Sequence, residues 1–208
     1  MTSLQHKNAV TPKLVLASGS KTRAKMLERV GLEFTQETPM IDEDAIKDAL
    51  QAEGASCEEL AEALAEHKAV RISARNRTNL VIGADQILEC DGVRINKPEN
   101  LDSAAKTLRT LSARTHRLIS SVVVVLDGDR LWHATDSASL TMRPLDDGFI
   151  DHYLGRTGDA VLSSVGAYQL EGFGAHLFTR VNGDFFTVLG LPLLPLLDFL
   201  RTRGAAPT

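Results

Sequence analysis

Residues Lys13 to Gly31 read KLVLASGSKTRAKMLERVG, and they carry the clearest indication of the fold class. Lys13 to Ala17 is a short, largely apolar run, which is typical of a buried strand. The small polar residues Ser18-Gly19-Ser20 then indicate a tight loop. From Thr22 to Val30 the apolar residues recur at helical spacing, and Gly31 is suited to end that helix. The stretch therefore predicts a strand, a polar loop and a helix in succession, which is a unit typical of α/β proteins.

Outward from this stretch, the chain alternates between strand and helix patterns. Strands are predicted at Glu33 to Glu37, Asn79 to Ala84 (ending at Asp85), Gln86 to Glu89, Val93 to Ile95, Thr115 to Leu126, Leu131 to Met142 and Ala175 to Val181. Helices are predicted at 44–54, 56–76, Ser103 to Leu111, Asp147 to Leu154 and Pro192 to Arg201, with a capping box at Ser56 and Glu59. Turn signals at Asp91-Gly92 and Asp127-Gly128 predict hairpins. Interleaved helices, strands and hairpins predict an α/β fold with a mixed sheet.

Size and charge limit the possible functions. The chain has 208 residues, of which 43% are apolar and 24% charged, so we expect one globular domain over residues 13–203 and a flexible tail over residues 1–12. A net charge of −4 and an aromatic share of 5% disfavour binding to a nucleic acid polymer, because such binding neutralises many phosphates and stacks bases on aromatic rings. A small basic pocket for one nucleotide stays compatible with this charge.

Cysteine usage and hydropathy predict a soluble, cytoplasmic protein. Cys57 and Cys90 belong to no CxxC pair or Cys/His cluster, so a structural zinc site is disfavoured and both thiols are expected to be reduced. The N-terminus has no apolar run of signal-peptide length. The most apolar stretch, Leu189 to Leu200, is interrupted by two prolines and an aspartate and falls short of the roughly 20 residues that a membrane span needs.

The first loop is a candidate anion site. The small residues Ser18 to Ser20 let backbone N–H groups approach an anion, the following helix adds its positive N-terminus, and Arg23 can contact a phosphate in bidentate fashion. The alternative is an ordinary cap on a surface helix. The pattern GxxxxGK[ST] is absent from the sequence, so this loop is not a P-loop.

Asp85 and Lys97 are the next candidates. A carboxylate after a buried strand is placed to act as a base or to hold a metal, although an Asp there can equally cap a turn. Lys97 follows twelve residues later and precedes Pro98, which favours extended backbone; by itself such a lysine is most often a solvated charge.

Glu43 and Lys68 carry weaker signals. Glu43 lies in the acidic run Asp42-Glu43-Asp44, which a helix N-terminus favours in any case, and Lys68 lies on a predicted helix where solvent exposure is the default. The six histidines form no HxxxH or HExxH pattern, and no serine lies in a GxSxG setting. No nucleophilic triad is therefore assigned.

Together these segments resemble the Maf family of nucleoside triphosphate pyrophosphatases. The resemblance runs from Leu14 to about Leu200 and rests on the order and spacing of several short motifs. They are Leu14-Val15-Leu16-Ala17-Ser18-Gly19-Ser20, Ile41-Asp42-Glu43, Gly83-Ala84-Asp85, Lys97-Pro98, Leu111-Ser112-Ala113-Arg114-Thr115-His116, Gly166-Ala167-Tyr168, Glu171-Gly172-Phe173-Gly174 and Gly190-Leu191-Pro192.

The resemblance implies a fold, a reaction and a set of site residues. The fold is an elongated mixed sheet flanked by helices, with two lobes around a deep cleft. The reaction is hydrolysis of a nucleoside triphosphate to the monophosphate and pyrophosphate, with Mg²⁺ or a similar divalent ion such as Mn²⁺ or Co²⁺. By position, Asp85 is the catalytic base, and Glu43 joins Asp85 around the metal or the attacking water. The residues that line the triphosphate are Ser18, Arg23, Lys68 and Lys97. A homodimer is also expected.

The first loop departs from the family pattern, which commonly has a proline and two successive arginines there. This chain has Ser20-Lys21-Thr22-Arg23-Ala24, so the proline and the second arginine are missing, and Lys21 can replace only part of that charge. The departure keeps an alternative open, namely a nucleotide-binding regulator of septum formation and cell division without turnover.

Three variable positions bear on the nucleobase. Gln86 and Glu171 are similar to the residues of the 7-methyl-GTP subfamily, whereas Thr and Gln are usual in the subfamily that acts on dTTP and UTP. A carboxylate at Glu171 suits this base, because it can accept hydrogen bonds from the guanine N1–H and amine and complement a cationic methylated ring. Thr22 differs from the large residue found at its position in many 7-methyl-GTP enzymes. The resemblance thus favours 7-methyl-GTP at two of the three positions.

Overall fold

One mixed sheet organises the molecule. The computed structural model describes residues 12–208, so all but Pro12 of the expected N-terminal tail lies outside the described residues. Within this range the strands are β1 (Leu14–Ala17), β2 (Phe34–Glu37), β3 (Leu80–Cys90), β4 (Val93–Ile95), β5 (Thr115–Leu126), β6 (Asp129–Met142) and β7 (Phe178–Asn182). They are arranged in the order β2-β1-β3-β5-β6-β7, and β4 pairs with β3. β1 runs parallel to β2 and β3, whereas the other pairs are antiparallel, which confirms the predicted mixed sheet.

Helices cover both faces of this sheet. They are α1 (Lys21–Arg29), α2 (Glu43–Ala52), α3 (Cys57–Ser73), α4 (Leu101–Leu111), α5 (Asp147–Thr157), α6 (Phe185–Val188) and α7 (Leu193–Thr202). The capping box at Ser56 and Glu59 is present and begins α3 as predicted. Gly31 ends α1 with a φ of +76°, a conformation that glycine adopts without strain.

The alternating side chains of β1, β3 and β5 divide the core into two layers. Val15 and Val81 pack with Ala65 and Ala69 of α3 on one face. Leu16 and its alternating neighbours pack with α1 and α7 on the other face. Gly83 permits the close approach of α3, because a Cβ on Gly83 would overlap the carbonyl oxygen of Ala65.

A second lobe surrounds the far ends of β5 and β6. Its buried residues come from α4, α5 and the irregular segment before β7, and they include Leu108, Leu118, Leu140 and Tyr153. The irregular segment contains two 3-10 helices, Gly158–Ser163 and Phe173–Leu177. The cleft described below is lined by residues of both lobes, in agreement with the expected fold class.

β3 carries the main correction to the predicted elements. The strand was predicted to end at Asp85, but it continues to Cys90 because β5 pairs with it from Val81 to Glu89. On its other side, β1 pairs with β3 only from Leu80 to Gly83, and β4 pairs with it only from Leu88 to Cys90. Residues 84–87 therefore lack a strand neighbour on that side, and we call this gap the sheet window.

Smaller corrections concern element ends. The helices predicted at 44–54 and 56–76 end earlier, at Ala52 and Ser73, whereas the helix predicted to end at Leu154 continues to Thr157. The strand predicted at Ala175 begins only at Phe178. β6 ends at Met142, the partner of Phe178, so earlier residues have no strand to pair with and instead form a 3-10 helix.

Candidate active site

The sheet window opens into a large cleft. Its volume is about 1540 Å³, and it extends from the loop before α1 to the loop at residues 162–172. Small-molecule pockets usually measure about 300 to 1,000 Å³, so a nucleotide with its phosphates has room here. The basic residues that line the cleft are Lys21, Arg23, Lys25, Arg29, Lys47, Lys68 and Lys97; the acidic ones are Asp42, Glu43, Asp44, Asp85, Glu99 and Glu171.

Two neighbours on β3, Asp85 and Gln86, lie at the centre of the window. Successive side chains of a strand point to opposite faces of the sheet. Asp85 therefore lies on the face covered by α3, and Gln86 lies on the face covered by α1 and the segment 187–190. Both side chains reach the cleft because no strand covers this stretch of the β3 edge.

Asp85 belongs to a charged cluster, which we define as Glu43, Lys68 and Asp85. The Lys68 ammonium donates to Asp85 Oδ1 at 2.5 Å and lies 2.8 Å from Glu43 Oε1. Lys68 is buried rather than solvated, contrary to the default expectation for a helical lysine, because two carboxylates compensate for its loss of water. Burial alone would raise the pKa of Glu43, but the charge and hydrogen bond of Lys68, with help from Lys47 and Lys97, lower it.

The cluster also has the donor chemistry for a divalent cation. Glu43 and Asp85 both contact the Lys68 ammonium and so lie close to each other, and carboxylate oxygens are ligands that Mg²⁺ prefers. Among residues 12–208, no group of three or more His, Cys, Asp or Glu side chains is arranged to hold a metal. A cation here would accordingly need further ligands from water or phosphate, which is the usual situation for Mg²⁺ in phosphate-processing sites.

Ser18 and Arg23 form the wall of the cleft next to the cluster. Arg23 donates from Nε to the Gly190 carbonyl at 2.7 Å and from Nη1 to the Ala84 carbonyl at 3.0 Å and Ser18 Oγ at 3.2 Å. Burial lowers the pKa of Arg23, and the charges of Asp85 and Glu43 partly offset that effect. Because Nε and Nη1 are engaged, a bidentate phosphate contact would have to displace one of these hydrogen bonds, whereas Nη2 has no such partner in the described part of the chain.

Lys97 differs from Arg23, Lys68 and Asp85 because its side chain is exposed, and it makes no ion pair with any residue in the range 12–208. It lies inside the cleft, where partial burial and the charge of Arg23 lower its pKa, and Asp85 offsets part of that effect. Glu171 is exposed at the cleft and Thr22 is half-buried beside it. The structure therefore brings all the candidate residues named from the sequence to one cleft.

Sequence reasoning missed several residues that line this cleft or support the side chains lining it. Lys25 and Arg29 follow Lys21 at intervals of four, so the helical period of α1 was the signal that could have found them. Ser120 and Thr187, by contrast, carry no local signal. They reach Gln86 from 34 and 101 residues away in the chain, and only the folded sheet brings them there.

Comparison with known proteins identifies the family. The chain belongs to the family of Maf-like proteins, which matches residues 13–203. The resemblance stated from the short motifs is thereby confirmed, and the match includes every candidate site residue named above.

Several curated relatives are similar over nearly their whole length. A nucleoside triphosphate pyrophosphatase of Paramagnetospirillum magneticum is 54% identical over 91% of this chain and 98% of its own. A 7-methyl-GTP pyrophosphatase of Brucella abortus is 47% identical over 92% and 96%, and one of Rhizobium etli is 48% identical over 94% and 98%. Among solved structures, a nucleoside-triphosphatase (dITP/XTP pyrophosphatase) of Mycobacterium abscessus covers 92% of this chain and 95% of its own at 16% identity and a TM-score of 0.41, a likeness too loose to add to these.

Two further observations concern the chain as a whole. Cys57 and Cys90 form no disulfide bond in the described part of the chain. No helix formed by residues 12–208 has both the length and the apolar character that crossing a membrane requires.

Proposed function

We propose that this protein hydrolyses nucleoside triphosphates at the bond between the α- and β-phosphates, with the monophosphate and pyrophosphate as products. The observation that carries the proposal is the charged cluster at the sheet window, where a buried lysine holds two carboxylates beside an unpaired lysine. The relatives named nucleoside triphosphate pyrophosphatase support the same reaction.

In this proposal Asp85 is the catalytic base. Lys68 holds Oδ1, so the carboxylate has a fixed orientation, and Oδ2 has no hydrogen-bond partner among the described residues. Oδ2 can therefore accept the proton of a water molecule whose oxygen attacks the α-phosphorus. The new P–O bond forms as the bond from the α-phosphorus to the bridging oxygen breaks, and pyrophosphate leaves with the electron pair.

Basic residues around Asp85 stabilise the charge on the phosphates. Lys97 is free to contact them, Lys68 and Arg23 contribute fixed positive charge, and the Ser18 hydroxyl still has its proton to donate. Such preorganised donors stabilise a transition state without reorganising as it forms.

We also propose a divalent cation, Mg²⁺ or alternatively Mn²⁺ or Co²⁺, at Glu43 and Asp85. When bound, such an ion would polarise the phosphate and lower the pKa of a coordinated water. The chain's own part is to present two carboxylate oxygens that Lys68 keeps in place.

Gln86, Glu171 and Thr22 are proposed to contact the nucleobase, with 7-methyl-GTP as the preferred substrate class. All three reach the cleft, and two of the relatives above are named 7-methyl-GTP pyrophosphatase. We further propose that residues 13–203 form one catalytic domain of a cytoplasmic homodimer.

A substrate panel tests the reaction. Purified protein with Mg²⁺ is incubated with canonical and methylated nucleoside triphosphates, and monophosphate and pyrophosphate are quantified by chromatography. We expect both products in equal amounts from at least one nucleotide, and orthophosphate would indicate a different bond. Tight nucleotide binding without products would instead support the regulator of septum formation.

A further inference from the structure

The side-chain amide nitrogen of Gln86 is surrounded by three hydrogen-bond acceptors. Its Nε2 donates to Ser120 Oγ at 3.0 Å and to the carbonyl oxygens of Thr187 and Val188, both at 3.1 Å. An amide nitrogen has two protons, and these three acceptors share them. Oε1 is therefore the one polar atom of this side chain that stays available to a ligand.

The orientation of this amide follows from its neighbours. Reversing it would place Oε1 against the carbonyl oxygens of Thr187 and Val188, and two acceptors cannot form a hydrogen bond with each other. Ser120 does not change this result, because its hydroxyl proton is already donated to the Thr187 carbonyl at 2.8 Å. Gln86 thus presents an acceptor to the cleft.

The same segment also holds Arg23. The carbonyl oxygens of Thr187, Val188 and Gly190, which we call the carbonyl strip, bind the Gln86 amide and the Arg23 guanidinium. Gly190 has a φ of +97°, a conformation that allows the chain to turn there without strain. Two side chains from different elements therefore depend on the position of one short stretch of backbone.

Thr187 fixes the carbonyl strip. This residue is fully buried, and each of its polar groups is paired. Its N–H donates to Asp184 Oδ1 at 3.0 Å, its hydroxyl donates to Asp136 Oδ2 at 2.7 Å, and its carbonyl accepts from Ser120 and Gln86. Asp136 is itself held by the N–H of Ser137, which donates to Oδ1 at 2.8 Å.

We propose that Thr187 is a positioning residue for nucleobase selection, which acts by holding Gln86 so that only an acceptor faces the base. The proposal rests on the proposed function, because it assigns Gln86 to the base end of the same cleft. The cleft then favours bases that offer N–H or NH₂ donors and disfavours bases that offer a carbonyl at that place. Glu171 adds a second acceptor to the same cleft.

A pair of Thr187 variants tests this role. Thr187→Val keeps the shape but removes the hydroxyl, and Thr187→Ser keeps the hydroxyl. We expect Thr187→Val to raise KM for GTP about tenfold, the size of one hydrogen bond, with a smaller change in kcat. The preference for GTP over XTP, which has a carbonyl in place of the guanine amine, should shrink by a similar factor, and Thr187→Ser should restore most of it.

Three further variants separate positioning from general stability. Thr135→Val is the matched control for selectivity, because it removes a half-buried threonine hydroxyl whose acceptor, Ser121 Oγ, does not contact Gln86, and neither residue lines the cleft. It should leave selectivity unchanged. Asp136→Ala removes the exposed carboxylate that accepts the Thr187 hydroxyl, so it should reduce the preference for GTP over XTP as Thr187→Val does. This variant keeps the proposal testable if Thr187→Val fails to fold. In a Gln86→Ala background, Thr187→Val should change selectivity no further.

The outcomes are distinct. The proposal is overturned if the preference for GTP over XTP is unchanged in both Thr187→Val and Asp136→Ala. It is also overturned if these variants lose the same fraction of activity with every nucleotide, because such a loss indicates a structural role. Binding of GTP and XTP is also measured by calorimetry. If the wild type turns over no nucleotide, the proposed function fails, whereas a GTP preference in binding that disappears in Thr187→Val still supports positioning.

Discussion

Asp85 and Gln86 are consecutive residues, yet the two sides of the sheet hold them by different physical means. Asp85 is held by charge, through the Lys68 ammonium that Glu43 also contacts. Gln86 is held without any formal charge, by a hydroxyl and two backbone carbonyls. A single strand thus presents a charged cluster on one face and a neutral hydrogen-bonded group on the other.

The difference suits the two tasks that we propose for this cleft. The phosphate chain of the proposed substrate carries charge, so it requires fixed charges in a partly desolvated setting, where electrostatic interactions are stronger than in water. The charged cluster supplies such charges from one face, and Arg23 supplies one from the other. A nucleobase is distinguished by its pattern of donors and acceptors, so the face that meets it requires polar atoms of known orientation. The predictions below test whether these two tasks separate as the geometry indicates.

The largest effect is expected from removing Asp85, the proposed base. Asp85→Asn keeps the size of the side chain but cannot take up a proton as a carboxylate does, so kcat should fall by about 10² to 10⁴. Steady-state kinetics measures this change, with Asp198→Asn, an exposed residue on α7, as the matched control. Wild-type turnover in Asp85→Asn would show that another group is the base.

Lys68→Met tests the charged cluster as a structural unit. The variant leaves Asp85 and Glu43 close together without their shared ammonium, and breaking a buried ion pair in this way typically costs about 3 to 5 kcal/mol. The free energy of unfolding from denaturant titration should fall by this order, and the pKa of Glu43 should rise, because Lys68 supplies the main charge that lowers it.

The same variant tests the cation proposal. With the ammonium gone, Mg²⁺ should stabilise Lys68→Met more than it stabilises the wild type, because the two carboxylates then lack another cation. Melting curves with Mg²⁺ and with EDTA give the comparison. An equal response of the two proteins would argue against a cation at Glu43 and Asp85.

A buried histidine that contacts neither Asp85 nor Gln86 should make the free energy of unfolding depend on pH. His116 is buried, which lowers its pKa to about 4, and Nε2 lies 2.6 Å from the Tyr168 hydroxyl. The unfolded chain takes up a proton near pH 6.5, so stability is fully present above that pH and falls towards pH 4. At pH 5 the loss from this residue should be about 2 kcal/mol.

His116→Gln should flatten this part of the pH dependence of unfolding, and denaturant titrations at pH 7 and pH 5 measure the difference. Glu43 provides the contrast, because its lowered pKa makes its contribution disappear only below the ordinary value of 4.5. A steep loss between pH 7 and pH 5 that persists in His116→Gln would mean that other groups control this range.

The smallest effect is expected at Lys97. This side chain is exposed and unpaired within the described residues, so Lys97→Ala should change the free energy of unfolding by less than about 0.5 kcal/mol. KM should rise by about tenfold, since one phosphate contact is lost. Lys106→Ala, an exposed lysine on α4, is the control. A large loss of stability would place Lys97 with the buried cluster instead.

Local features of the fold were predicted closely from the sequence. β1 and α1 begin within one residue of their predicted positions, and the two Asp-Gly turns join the predicted hairpins. These features depend on neighbouring residues, namely apolar periodicity, a cap and a turn dipeptide. The Gly-rich segment before β7 was not predicted as well, because the end of its partner strand determines where β7 begins.

The candidate site was predicted in part. The short motifs named Asp85, Glu43 and Lys97, and the structure brings all three to one cleft. The burial of Lys68 contradicts its helical pattern, and the engagement of Arg23 by two carbonyls has no local signal. Both features result from contacts between distant parts of the chain.

Sequence patterns and short motifs were therefore enough to give the family, the α/β class and the nine candidate site residues, all of which line the cleft. Contacts within the folded chain extend β3 past Asp85 and leave it without a strand neighbour there, so that Asp85 and Gln86 lie on opposite faces of an open edge. The physical reason is the range of the interactions. Strand and helix patterns arise from adjacent residues, whereas the sheet window, the charged cluster and the carbonyl strip arise from contacts between residues far apart in the chain.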